Sequence, residues 1–310
     1  MGKQALLHHR DLRIVTSTRL PLPDEPNFTN IRPRAATAMP KYKNLEVVTP
    51  PMRRVRQLIQ RHRPNLLHIS TPGPVGIAAW WAARRLKIPV VGAYHTDSPA
   101  YIDHLFDDAA PTYCTTSFMR WFYRPFRLIF TRSVDYADSL VRMGLRADRL
   151  KRLVPGTDTH AFHPRFRDDS VWPRMGIDAD SVKVLFVGRV SVEKNMPLTV
   201  KVWKLVQAAL AKRHLAADLV VVGDGPFRPT MEKELGTARG GVHFLGFRHG
   251  DELASLYASS DLFVFTSVTD TLGQVILEAQ ASAVPVLVTD QGGPKEVVLN
   301  GQTGLVLSAD

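Results

Sequence analysis

Residues 183–195 read KVLFVGRVSVEKN. An apolar, β-branched run closes on Gly188, a short loop carries Arg189 and Lys194, and a helical pattern begins near Asn195. This is a buried strand handing over to a helix, the repeating half of a parallel α/β sheet. The same sequence pattern recurs on both sides. DLVVVG (218–223), VHFLG (242–246), LFVFT (262–266) and VPVLVT (284–289) follow it, and LRIVT (12–16), LLHIS (66–70), PVVGAY (89–94) and LIFT (128–131) precede it. Between these runs lie amphipathic stretches such as 52–62, where Met52, Val55, Leu58 and Ile59 share one face and arginines the other. The expected fold class is therefore α/β, with parallel sheets covered by helices on both faces. Residues 156–182 interrupt the alternation with prolines and mixed charge. They are read as the link, centred on 166–182, between two Rossmann-like domains, 1–165 and 183–310. Such a pair would hold its ligand where the carboxyl ends of the strands face each other. Residues 17–50 read as irregular, Pro-rich chain where a first strand and a glycine-rich turn would be expected, and the sequence stops on a strand at GLVLSAD. The chain reads as incomplete at both ends.

Composition narrows the class. Of 310 residues, 45% are hydrophobic and 22% charged, the balance of a globular protein. The sequence has no apolar run of about eighteen residues, and its opening MGKQALLHHRDLR is too short in apolar residues for a secretion signal. A lone cysteine, Cys114, cannot form an internal disulfide. A reducing, cytoplasmic setting is expected. The net charge of +11 is uneven: residues 1–165 carry +14 and residues 166–310 carry −3. A basic first half suits nucleic acid, an anionic membrane or an acidic substrate, and it also suits arginines that simply solvate helix faces. Segment 119–132, MRWFYRPFRLIFTR, has the same two sides. It could rest on an anionic membrane at the inner face, favouring a lipid acceptor, or it is a helix packing its aromatics inward before a strand. The strand pattern of LIFT favours the second.

Two segments carry chemistry. Arg189 and Lys194 stand beside a strand's carboxyl end and a helix start, where a guanidinium fork, an ammonium and the helix dipole together suit a diphosphate. A surface arginine and a Glu193–Lys194 pair are the plainer reading. The second segment, TSVTDTLGQVILEAQASAVPV (266–286), ends a strand near Phe265, carries Asp270 on a loop and opens a helix near Thr271–Gly273. Exposed N–H groups at Leu272, Gly273 and Gln274 would suit phosphate. Glu278 follows Asp270 by two helical turns, so both carboxylates can face vicinal hydroxyls of a sugar or ribose. The plainer reading makes Asp270 a helix N-cap and Glu278 a buried or paired residue. Asp224 in VVGDGP reads as a turn residue.

The order strand–GR–x4–K–helix, then VVGDGP (221–226), HFLGF (243–247), an acid before LEA, and GGPKEVV (292–298) resembles family 4 retaining glycosyltransferases, the group of bacterial lipid mannosyltransferases and sulfolipid synthases. HISTPGPVGIAA (68–79), IPVVGAYHTD (88–97), SLVRMGL (139–145) and VPGTDTHAFHP (154–164) agree with its first half, so the resemblance runs from about residue 55 to 308. It implies the GT-B fold, two Rossmann-like domains facing a central cleft. It implies transfer of a hexosyl unit from a UDP- or GDP-sugar to a hydroxyl of a lipid or glycan, with retention and without a metal or other cofactor. By the same resemblance, Arg189 and Lys194 bind the donor diphosphate beside Gly188, and Asp270 touches the transferred sugar. Glu278 sits on the ribose, and backbone groups of Thr271, Leu272, Gly273, Gln274 and Val275 lie against phosphate and sugar. Gly246 and Phe247, in the LGF turn from Leu245, border the nucleobase. His95 faces the donor sugar as a catalytic group, and Asp97 and Tyr101 are acceptor-side contacts. The sequence departs from the pattern in having Asp270 for a glutamate and Ala283 for a glycine, which costs about 1 kcal/mol if that position needs a positive φ.

Other functions fit less well. A dinucleotide-binding turn would need a third glycine after Gly223 and Gly225. A nucleic-acid-binding protein gives no account of Asp270 and Glu278 and matches no binding motif, so no nucleic-acid partner is expected. No HExxH, Cys/His cluster or Asp-x-Asp pair is expected to offer a metal site. The alternative that remains is a truncated or degenerate family member that binds nucleotide and transfers nothing.

Overall fold

The computed structural model describes residues 12–22, 26–39, 42–95, 109–153, 156–236 and 241–309. The chain divides into two compact units. One comprises Met1–His95, Ser117–Phe130 and Met143–Lys151, and the other Thr96–Thr116, Thr131–Arg142 and Arg152–Asp310.

The first unit opens with β1 (Ile14–Thr16) and β2 (Phe28–Asn30), paired in parallel, and an antiparallel pair, β3 (Ala35–Met39) and β4 (Tyr42–Thr49). Three of these strands lie inside 17–50, the stretch expected to be irregular. None of its prolines falls within a described strand, with Pro33 before β3 and Pro50 after β4. Helix α1 (Met52–His62) follows, burying Val55 and Ile59 against Ala78 and Ala82 of α2 (Pro74–Leu86). The arginines of α1 stay outside, as its amphipathic spacing predicts. A four-stranded sheet is ordered β5 (Leu67–Ile69), β6 (Val90–Tyr94), β7 (Leu128–Thr131), β8 (Leu150–Arg152). β5 and β6 are parallel. Arg127 N–H donates to the Val90 carbonyl and Leu153 N–H to the Thr131 carbonyl, so β7 runs with both its neighbours. Helix α3 (Ala109–Tyr123) packs Met119, Phe122 and Tyr123 inward with Phe126 and Ile129. Segment 119–132 is thus a core helix followed by a strand. Trp121 on the same helix stays 47% exposed.

The second unit includes α4 (Val134–Arg142) and a short helix α5 (Val171–Arg174). Val171, Trp172 and Ile177, from the stretch read as a link, are buried in the same core as the strands that follow. Those strands form a six-stranded parallel sheet built from β9 (Val182–Val187), β10 (Ala217–Val222), β11 (Val242–Gly246), β12 (Leu262–Phe265), β13 (Val286–Thr289) and β14 (Gly304–Leu307). Its order is β11-β10-β9-β12-β13-β14, each pair parallel. This is the doubly wound arrangement, with α6 (Met196–Arg213), α7 (Arg228–Leu235), α8 (Gly250–Ala258) and α9 (Gln274–Ala281) as connections. β9, β10 and β13 are buried along almost their whole length, as in a sheet covered on both faces, while the edge strands β11 and β14 are more open.

Candidate functional site

In a doubly wound sheet the chain turns in opposite directions after the first and fourth strands in chain order, which opens a crevice at their carboxyl ends. Here those strands are β9 and β12, hydrogen-bonded neighbours in the sheet. The loop after β9 carries Arg189 and Lys194, and the loop after β12 carries Asp270. The fold therefore brings together residues 76 apart in sequence: Lys194 Nζ donates to Asp270 Oδ1 at 2.7 Å and Oδ2 at 2.6 Å. The two side chains are 24% and 22% exposed, and the ammonium lies 5.6 Å from the centre of the Phe265 ring. Arg189 is half exposed, its Nη1 3.8 Å from Glu193 Oε1.

Hydroxyls stitch the two loops together. Thr266 Oγ1 donates to the Lys194 and Asn195 carbonyls at 3.2 Å, and Thr269 Oγ1 donates to the Glu193 carbonyl at 3.0 Å. The Tyr136 hydroxyl donates to the Thr269 carbonyl at 2.9 Å, one residue ahead of Asp270. The Ser/Thr run TSVTDT was the available signal for the first two; nothing in the sequence points to Tyr136.

Asp270 is not an N-cap. The cap position of α9 is held by Gly273 at φ 74, and the Asp270 side chain is given over to Lys194. The carboxylate is drawn to Lys194 instead, because a charged partner outweighs a single backbone N–H. The first-turn N–H groups of Gln274 and Val275 have no acceptor within the helix itself. GGPKEVV explains itself by close approach. A Cβ on Gly293 would fall 2.2 Å from the Thr271 carbonyl oxygen, so only glycine lets this turn lie flat against the Asp270–Leu272 loop. Gly293 N–H also donates to the Asp270 carbonyl at 2.9 Å. From the same motif, Glu296 accepts from the N–H groups of Val134 and Asp135 and caps α4.

Glu278 is partly buried on α9 and accepts from the Tyr257 hydroxyl at 3.0 Å. Burial raises its carboxyl above the usual value, opposed by that hydrogen bond. Burial, then the nearby Glu278 charge, pushes the Tyr257 hydroxyl far up, so it stays a donor. The plainer reading of Glu278 as a paired helix residue is thus met, and one of its oxygens remains uncommitted to Tyr257. Tyr257 is the partner that sequence reasoning missed. Gly246 takes φ 68 at the end of β11, and Phe247 after it is 62% exposed. Asp224 Oδ1 accepts from Gly225 N–H at 2.7 Å, the turn role expected of it. Ala283 does sit at positive φ, 61°, at the end of α9.

His95 directly follows β6 in the first unit and is partly buried. Asp97 and Tyr101 lie outside the described residues. The sequence does hold an Asp-x-Asp, Asp178–Asp180, but it precedes the amino end of β9, where Asp178 accepts from Asp180 N–H at 3.0 Å.

Two family models match, "Glycosyltransferase Family 4" over residues 7–161 and "Glycosyl transferases group 1" over residues 181–310. The chain belongs to glycosyltransferase family 4. It is 31% identical to the sulfoquinovosyl transferase of Arabidopsis thaliana over 301 residues, 94% of this chain and 55% of that protein. It is 33% identical to a GDP-mannose-dependent alpha-mannosyltransferase of Mycobacterium tuberculosis over 271 residues, 86% of this chain and 66% of that one. The chain therefore spans between half and two thirds of the length of these curated relatives. Among solved structures, Anabaena HepE in complex with UDP and glucose is similar with a TM-score of 0.67 at 21% identity, covering 84% of this chain and 68% of that one. The GT-B fold expected of this family 4 chain is the fold its structural neighbours share.

Proposed function

We propose that this family 4 chain is a retaining, metal-independent hexosyltransferase that takes its sugar from a UDP- or GDP-linked donor and passes it to a hydroxyl of a lipid or glycan. The observation that carries the reading is the Lys194–Asp270 contact across the crevice between β9 and β12, an ammonium and a carboxylate where a doubly wound sheet binds phosphorylated ligands. Lys194 and Arg189 would neutralise charge growing on the departing diphosphate, with the α9 N–H groups adding to them. These fixed cations would do what a bound metal does elsewhere. Asp270 would hold sugar hydroxyls and Glu278 those of the ribose, and Phe247 would border the base. His95 is assigned to the donor sugar on the strength of its motif. The bond between the anomeric carbon and the diphosphate oxygen breaks, the acceptor oxygen bonds to that carbon on the same face, and the acceptor's proton passes to the diphosphate. The named relatives support both nucleotide choices: one is GDP-mannose-dependent, and a structural neighbour is solved with UDP.

The test is titration calorimetry with UDP, GDP and ADP in the absence of metal, on wild type and Lys194→Ala. One nucleotide should bind, and the variant should lose about 1.5–3 kcal/mol, the worth of a charge-assisted contact. Turnover of the matching nucleotide-sugar, with the anomeric configuration read by NMR, then separates transfer from binding alone. A folded chain that binds none of the three sinks the proposal.

A further inference from the structure

Asp270 sits where three parts of the second unit meet: its own loop, the GGPKEVV turn and helix α4. The peptide groups on both sides of its Cα are anchored. The Tyr136 hydroxyl of α4 donates to the Thr269 carbonyl at 2.9 Å, and Gly293 N–H donates to the Asp270 carbonyl at 2.9 Å. Each peptide is a rigid plane, so two held planes restrain φ and ψ of the residue between them. The direction of the Asp270 Cα–Cβ bond, and hence the reach of its carboxylate, follows from those planes.

The two anchors are tied to each other. Glu296, largely buried, accepts from the N–H groups of Val134 and Asp135 at the start of α4, and its own N–H donates to the Gly293 carbonyl at 3.1 Å. Lys295 Nζ reaches Asp135 Oδ2 at 2.7 Å. Thr269 faces the opposite wall as well, with Oγ1 on the Glu193 carbonyl, one residue ahead of Lys194. A ring of contacts thus runs from Asp270 through Gly293 and Glu296 to α4, and back through Tyr136 and Thr269. Tyr136 is buried, and phenylalanine would fill the same space without a polar atom to satisfy. What the hydroxyl adds is a bond to the Thr269 peptide, 133 residues away.

We propose that Tyr136 is a positioning residue for the sugar donor: through the Thr269 peptide it sets the Asp270 carboxylate, and Glu296 holds α4 in place for it. The proposal rests on the assignment of Asp270 to the transferred sugar. Its test is titration calorimetry of UDP against UDP-glucose and of GDP against GDP-mannose, followed in whichever pair binds. The readout is the ratio of the two Kd values, nucleotide-sugar over bare nucleotide, which isolates the sugar's share. Tyr136→Phe should raise this ratio about five- to tenfold, the worth of one hydrogen bond, with the bare nucleotide changed less than about twofold. In an Asp270→Asn background the same substitution should leave the ratio unchanged, because the group it positions is gone. Trp172→Phe serves as the control for lost stability. It removes a buried N–H bond to the Ser259 carbonyl ahead of β12, at the opposite edge of the sheet, and should lower Tm while leaving the ratio alone. An unchanged ratio in Tyr136→Phe overturns the proposal and leaves the donor site standing. An equal rise in Trp172→Phe, or an undiminished rise in the Asp270→Asn background, would mean general loosening and overturn it too. If Asp270→Asn by itself leaves the ratio unchanged, the assignment of Asp270 to the sugar fails and takes this proposal with it.

Discussion

Asp270→Asn should tighten the binding of a bare nucleoside diphosphate. In the free protein the Lys194 ammonium already gives hydrogen bonds to both Asp270 oxygens, at 2.7 and 2.6 Å, with both side chains about three-quarters buried. At that separation and an effective dielectric of about 20, the direct attraction is about 6 kcal/mol. Desolvation of two partly buried charges offsets most of it, leaving about 1–2 kcal/mol net. An incoming diphosphate competes for the same ammonium and meets the carboxylate's negative charge. Asparagine keeps the shape and removes that charge, so UDP or GDP should bind about five- to thirtyfold more tightly. Lys194→Met should do the reverse, and the double variant should bind less tightly than Asp270→Asn alone. The nucleotide-sugar behaves differently, because Asp270 is assigned to its hydroxyls: Asp270→Asn should lose transfer while gaining affinity for the product nucleotide. The assay is a double-mutant cycle by titration calorimetry at fixed ionic strength, first without sugar and then with it. If Asp270→Asn weakens the bare nucleotide as Lys194→Met does, the carboxylate does not compete for Lys194 and the reasoning fails.

Ala283 sits at φ 61 after α9, with Ala283 N–H bonded to the Gln280 carbonyl and Val284 N–H to the Ala279 carbonyl, the left-handed helix end that favours glycine. Ala283→Gly should stabilise the protein by about 0.5–1 kcal/mol and raise Tm by about 1–3 °C, and an unchanged or lower Tm would count against strain at this residue. Burial raises the Glu278 carboxyl above its unfolded value, so ionising it costs stability, a cost that sets in as pH rises through the unfolded value toward the folded one. Glu278→Gln should therefore melt higher than wild type near neutral pH, with the gap closing under acid, while nucleotide affinity drops about tenfold. A gap that does not vary with pH would show that ionisation of Glu278 is not its source.

Much of this fold is legible in local pattern alone. β7 and β11 have the predicted bounds, and the other parallel strands expected from the sequence differ only at their ends. A strand covered on both faces must be apolar along its length, and a helix on one face only every third or fourth residue, so both leave a readable trace in the letters. The hairpin β3–β4 was not legible for the same reason. One strand reads AATAM, with no β-branched apolar run, and prolines on either side look like loop. Ala283 was legible as a strained residue from its place in the helix ending, since backbone handedness at such an ending follows from local geometry.

The sequence by itself determined the alternation of elements, the two loops that hold Arg189, Lys194 and Asp270, and the kinship that names their family. Only the tertiary structure decided what those side chains do to each other. With the helix read from the letters as opening near Thr271, Asp270 is equally fit to cap it and to serve a ligand; the helix opens at Gln274, behind Gly273. Asp270 binds Lys194, 76 residues away, because the order β9-β12 in the sheet puts the two loops side by side. Glu278 takes Tyr257 because α8 and α9 pack together, and Tyr136 reaches Thr269 from a segment 133 residues earlier. Short-range interactions write themselves into sequence as periodicity and spacing. A hydrogen bond between loops depends on strand order, which is set by which buried faces pack, and that is a property of the whole sheet.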